Sequence, residues 1–231
     1  MKRILELKSD TENFSINKKA VNSLKPAIEE TKILNIEKEK VNDSMWLERK
    51  SFRIALISTF TALSVVIGYL LAVIPNIELF TLIIFLSGFI LGNREGMVIG
   101  LFSSFIFCFF NPFGPSPLPL LAFQLFHYSL TGLCGGLLSN YFKRKDFYKM
   151  DGDLYVFPVM FIFGVLGALI TTFFQIFSSL TSVLSVFGTI DEFLPYLLSG
   201  IIFTITHIIG NILGFIFILP GLIQLINKML Y

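Results

Sequence analysis

Three long apolar stretches carry polar side chains at helical spacing. Wound at about 100° per residue, the first puts Gln124, His127, Tyr128, Thr131 and Gly135 on one face. The second aligns Gly164, Gly167, Ala168, Thr171, Gln175, Ser178 and Ser182, and the third Gly200, Thr204, His207, Asn211 and Gly214. Polar groups inside lipid are costly and turn toward a bundle interior or a cavity. Small residues also let membrane helices approach closely, which accounts for the glycines. Two His, two Gln, one Asn and one Tyr are more than packing needs, and they suit the wall of a ligand cavity. Two alternatives stay open on these residues. His127 and His207 could hold a b-type haem as a bis-imidazole pair, or the stripes could only join helices in a non-transporting membrane scaffold.

The chain carries no motif for catalysis. It has no GxxxxGK[ST] phosphate loop and no HExxH pair. No acidic residue lies deep in an apolar stretch, as a proton-driven pump would need. Cys108 and Cys134 lack Cys or His neighbours at metal-ligand spacing and read as small apolar fillers. No catalytic residue, metal, cofactor or nucleic-acid partner is expected.

The elements that must position the stripes follow from charge and hydropathy. Residues 1–53 hold twelve of the eighteen Lys and Arg, and long uncharged runs follow at Ile54–Ile74, Met97–Phe142 and Leu154–Ile190. Apolar runs of about 18 residues or more read as membrane spans. The fold expected is all-α, a polytopic membrane protein with a polar N-terminal tail (1–50) and a transmembrane domain (51–231). The tail has neither the apolar core nor the cleavage pattern of a signal peptide. Trp46 beside Arg49, Lys50 and Arg53 marks an inner-interface lead-in to the first span.

Six spans are expected: Phe52–Ile74, Leu79–Gly92, Met97–Phe110, Leu118–Phe142, one from about Tyr155 to Ser179, and Leu194–Leu219 closed by Pro220 and Gly221. The second and third are short. A re-entrant hairpin there would strand Arg94 and Glu95 near the bilayer midplane, so two thin or tilted spans are preferred. With six spans, all eighteen Lys and Arg fall on one side. The other side has only Glu78, Asp191 and Glu192. The positive-inside rule then puts both termini in the cytoplasm of a plasma-membrane protein. The proline-rich loop "NPFGPSPLP" falls outside, where its prolines stop both neighbouring helices.

The P-N-I-E start of the second span, the F-x-x-G-x-x-x-G-x-x-x-G-like run after it, and the "NPFG…PLP" loop before a glycine-rich span carry a likeness. Over about Phe52–Leu219 the chain resembles the substrate-binding membrane subunit, or S component, of energy-coupling factor (ECF) transporters. The resemblance implies a six-helix bundle that captures a vitamin or related micronutrient at the outer face. It also implies a transmembrane coupling subunit and two ATPases as partners. The family's Ala-x-x-x-Ala docking pattern on the first span appears here as Ala55-x-x-x-Thr59 and Ser58-x-x-x-Ala62. Expected ligand contacts are Asn76, Glu78, Asn111, Phe113, Gln124, His127, Tyr128 and Gln175, with His207 and Asn211 deeper. The proline loop would form part of the lid. The absence of Lys and Arg on the outer side favours a neutral or cationic ligand.

Overall fold

The computed structural model describes residues 49–111, 113–145 and 153–230. The expected tail up to residue 48, the Trp46 anchor, Pro112 and the far end of the basic loop lie outside the described residues. Eight α-helices occur among the described residues: α1 (Lys50–Leu71), α2 (Phe80–Leu91), α3 (Asn93–Phe109), α4 (Leu118–Phe142), α5 (Phe157–Phe187), α6 (Phe193–Ser199), α7 (Ile201–Leu213) and α8 (Leu219–Leu230). A π-helical segment, Gly214–Ile218, joins α7 to α8.

Four helices are long and apolar enough to cross a membrane: α1, α4, α5 and the continuous run Ile201–Leu230. The chain is therefore an all-α, multi-pass membrane protein. α2 is apolar on every side, and eleven of its twelve residues are buried. A helix hydrophobic all round belongs inside a bundle. At 1.5 Å per residue it reaches only about 18 Å.

α2 and α3 form a tight hairpin at Gly92, whose φ of 110° suits glycine. Gly88 and Gly96 stand four residues either side of this hinge. α4 lies against the hairpin with Gly132 at the contact. A Cβ on Gly88 or Gly96 would run into the Gly132 carbonyl, and one on Gly132 into the Gly96 carbonyl. The expected glycine run is thus a backbone-to-backbone seam. α3 begins at Asn93, four residues before the expected start, so Arg94 and Glu95 lie in its first turn. A carboxylate there complements the helix dipole, and Glu95 pairs with Arg53 of α1. Further along, Ser64 bonds Ser103 at 2.7 Å and the Tyr69 hydroxyl donates to the Ile106 carbonyl at 2.9 Å. These bonds tie α1 to α3.

Two expected boundaries are corrected. α5 does not stop near Ser179 but runs to Phe187. Thr181 donates to the Phe177 carbonyl and Ser185 to the Thr181 carbonyl, each at 2.7 Å. The hydroxyls are thereby satisfied inside the helix. The helix ends at Gly188, whose φ of 70° makes a left-handed cap.

The last helix is not closed by Pro220 and Gly221. It breaks at Gly200 after short α6 and then continues through Pro220 to Leu230. Proline inside a helix lacks the i−4 hydrogen bond and crowds that carbonyl. The π-helical turn just before Pro220 absorbs the misfit. Tyr155 Oη donates to the Phe217 carbonyl in that turn at 2.8 Å. Tyr155→Phe leaves this carbonyl without that donor, and the expected loss is about 1 kcal/mol. Thermal unfolding in detergent would read it; an unchanged midpoint would show the bond contributes nothing.

Phe85, Phe89, Phe142, Phe163 and Phe215 stack edge-on or tilted through the centre, with centroids 5.1–6.5 Å apart. Gly167 lets α5 approach Phe215, and Gly164 lets it approach Ile216. The small residues of the α5 stripe therefore close it onto the last helix, whereas Gly214 of the last stripe faces Leu82 and Leu79; the polar residues further along both faces remain for the site.

Candidate functional site

The loop Ala72–Leu79 between α1 and α2 carries the site's one carboxylate. Asn76 takes a left-handed backbone, φ 60°, which Asn tolerates better than most residues. Glu78 follows and accepts three hydrogen bonds on Oε1: from Thr81 Oγ1, from His207 Nε2 at 3.1 Å and from Asn211 Nδ2 at 3.4 Å. Asn211 Nδ2 also donates to Thr171 Oγ1 at 2.8 Å. Gln175 Nε2 lies 3.2 Å from His207 Nδ1. With the Gln175 amide donating there, the imidazole proton sits on Nε2 and is given to Glu78. Burial favours a neutral Glu78, but the bonds from His207, Thr81 and Asn211 outweigh it and hold the carboxyl below its usual range. One network therefore joins the loop, α2, α5 and α7.

Beside it is a cavity of about 260 Å³. Asn76, Glu78, Asn111, Phe113, Gln124, Tyr128 and His207 line it, together with Phe107, Cys108 and Phe174. Seven of the ten residues expected from sequence meet there. The proline loop closes on itself over one side. Asn111 Oδ1 accepts from the Phe113 amide, and the Asn111 carbonyl from the Gly114 amide, both at 2.9 Å. α4 then starts with Pro119 in its first turn, where a missing amide hydrogen costs nothing.

Gln175 and Asn211 enter through their bonds to His207 and Glu78. Gln175 also lines an adjacent cavity of about 370 Å³ with Ser179, Tyr196, Ser199 and Thr204, and Asn76 forms part of both walls. His127 is placed elsewhere. It lines a groove of about 500 Å³ between α4 and α5, among Leu169, Phe173, Ile176 and Phe177. Those walls are almost wholly apolar and side-exposed, as a surface facing lipid tails would be. Both ring nitrogens of His207 are engaged, and Phe174 touches the rings of both histidines at 5.0 and 6.1 Å. The haem alternative therefore finds no support.

Thr81, Phe107 and Phe174 were missed. Thr81 stands three residues after Glu78, the spacing at which a side chain can reach back to the acid. The two phenylalanines had no distinguishing signal in a chain with 27 of them. Ala55, Ser58, Thr59 and Ala62 are all exposed on α1. The Ser58 and Thr59 hydroxyls bond the Ile54 and Ala55 carbonyls of their own helix. Among the described residues no cluster of His, Cys, Asp or Glu could hold a metal ion.

No curated protein and no solved structure matches the chain. A family model described as "ECF-type riboflavin transporter, S component" does match it, over residues 50–206. A match of that extent places the chain in the family: it is an S component of ECF transporters, a non-enzymatic membrane subunit that captures substrate for uptake.

Proposed function

We propose that this subunit captures riboflavin, or a flavin with the same ring, at the outer membrane face. The observation that carries the reading is the cavity beneath the Ala72–Leu79 loop. Aromatic side chains of Phe107, Phe113, Tyr128 and Phe174 offer a planar ring flat partners. The Glu78–His207–Gln175 network and the hydroxyl-rich cavity across Asn76 offer hydrogen bonds to a polyhydroxyl chain. The cavity beneath the loop, at about 260 Å³, by itself falls just below the usual ~300–1,000 Å³ of small-molecule sites; with the adjacent one it has the room. No Lys or Arg occurs between Ile54 and Asn93, between Glu95 and Phe142, or between Asp151 and Asn227. A neutral ligand fits such a site.

The chain crosses the membrane six times with both termini in the cytoplasm, α2 and α3 forming the thin central pair. Residues 1–50 are a cytoplasmic extension of the 51–231 membrane domain. A coupling subunit docks on the smooth strip of Ala55, Ser58, Thr59 and Ala62, whose hydroxyls are already satisfied. Two ATPases supply the energy. Exposed small residues on one helix face permit such close helix contact.

Riboflavin fluoresces, and stacking on aromatic side chains quenches it. Titration of the purified chain into riboflavin should give saturable one-to-one quenching. Mass spectrometry of small molecules released on denaturation should find a flavin. A chain that neither quenches nor carries a flavin would overturn the reading.

A further inference from the structure

Gln124 projects from the second turn of α4 into the cavity wall. Its Oε1 is buried without a hydrogen-bond partner. Three other polar groups of the wall are already engaged. Glu78 and His207 are bonded to each other, and Asn111 Oδ1 holds the Phe113 amide. A buried acceptor left unmatched is costly, and such a group in a native protein marks a missing partner. Tyr128 lies one turn further along α4, and its ring sits 5.8 Å from that of Phe174. A flat ring held against these aromatics would present its edge to Gln124.

A primary amide carries an acceptor and a donor side by side. The ligand edge that satisfies both at once has an N–H next to a carbonyl, as in a cyclic imide or lactam. Resting on the flavin reading above, we infer that Gln124 reads the imide edge of the ring: Oε1 accepts from ring N3–H, and Nε2–H donates to a flanking carbonyl. Gln124 is then a specificity-determining residue. It selects flavins and other imide-edged heterocycles over rings of the same shape that lack the N–H.

The test compares riboflavin with N3-methylriboflavin by fluorescence titration, using the full-length protein and Gln124→Leu. Leucine keeps the bulk of the side chain and removes both hydrogen-bonding groups. The unaltered protein should bind riboflavin about 10- to 100-fold more tightly than the methylated ring. Gln124→Leu should bind riboflavin more weakly and bind the two ligands alike. If the methyl group merely clashed, the leucine variant would still discriminate, and that outcome overturns the inference. Equal affinity of the unaltered protein for both ligands overturns it too, while leaving riboflavin capture intact. If Gln124→Leu fails to fold, Gln124→Met, which likewise keeps the bulk and removes both hydrogen-bonding groups, takes its place in the comparison. Binding of neither ligand by the unaltered protein removes the flavin reading and this inference together.

Discussion

Gly132→Ala is expected to destabilise the protein by about 3 kcal/mol or more. In detergent this would appear as loss of monodisperse protein or a much lower unfolding midpoint. The reason is the kind of atom that an added methyl group would meet. At Gly132 a Cβ would press on the carbonyl and Cα of Gly96. A flexible side chain could swing aside; backbone can move only by parting α3 from α4. That parting would also disturb the Gly88 contact, since Gly88 and Gly96 meet Gly132 from the two arms of one hairpin. Gly200→Ala is the matched control. Its nearest neighbours are the carbonyls of Leu197 and Tyr196 at 4.0 Å, and its φ of −98° is open to any residue. That substitution should change stability by less than about 1 kcal/mol. Equal midpoints for the two variants would refute the seam.

The seam was legible as a glycine run, because small residues every four positions make one smooth helix face. Its hinge was less so: nothing local marks Gly92, rather than the whole GNREG segment, as the single turning residue. The polar stripes were legible as faces but not as depths. Gln124 and His127 are three residues apart, which leaves them about 60° apart around the helix axis. With Phe174 packed against His127, that angle suffices to put one in the cavity and the other in the α4–α5 groove. Tyr128, four residues from Gln124, returns to the cavity. Likewise, Pro220 read as a helix end because proline breaks an α-helical ladder. The π-helical turn that accommodates it is built from Gly214–Ile218, whose apolar sequence looks like any other part of the span. Glu78 was visible as an isolated acid at a span edge, but its three donors come from two helices, Thr81 from α2 and His207 and Asn211 from α7. Only packing brings them together.

Those three donors give Glu78→Ala the largest expected effect on binding. The substitution leaves Thr81 Oγ1, His207 Nε2 and Asn211 Nδ2 without the acceptor they share. Each unmatched buried group costs about 1–3 kcal/mol, so flavin affinity should fall by about 100-fold or more, with a lower unfolding midpoint. Glu78→Gln keeps one acceptor oxygen but turns an amide toward donors, and should fall between. His207→Ala alone should also weaken binding, yet adding it to Glu78→Ala should cost little more, because the first change already breaks the shared network. Additive losses would mean that the two residues act separately. The pH dependence follows from the depressed Glu78 carboxyl. A group whose folded pKa lies below its unfolded value contributes stability above the unfolded pKa and loses it as pH falls through the folded one. The stability gap between the unaltered protein and Glu78→Ala should therefore hold from neutral pH to about 5 and close only in stronger acid, below the ordinary carboxylate pKa of about 4. A gap that closed well above that carboxylate pKa would mean that Glu78 is not held below its usual range.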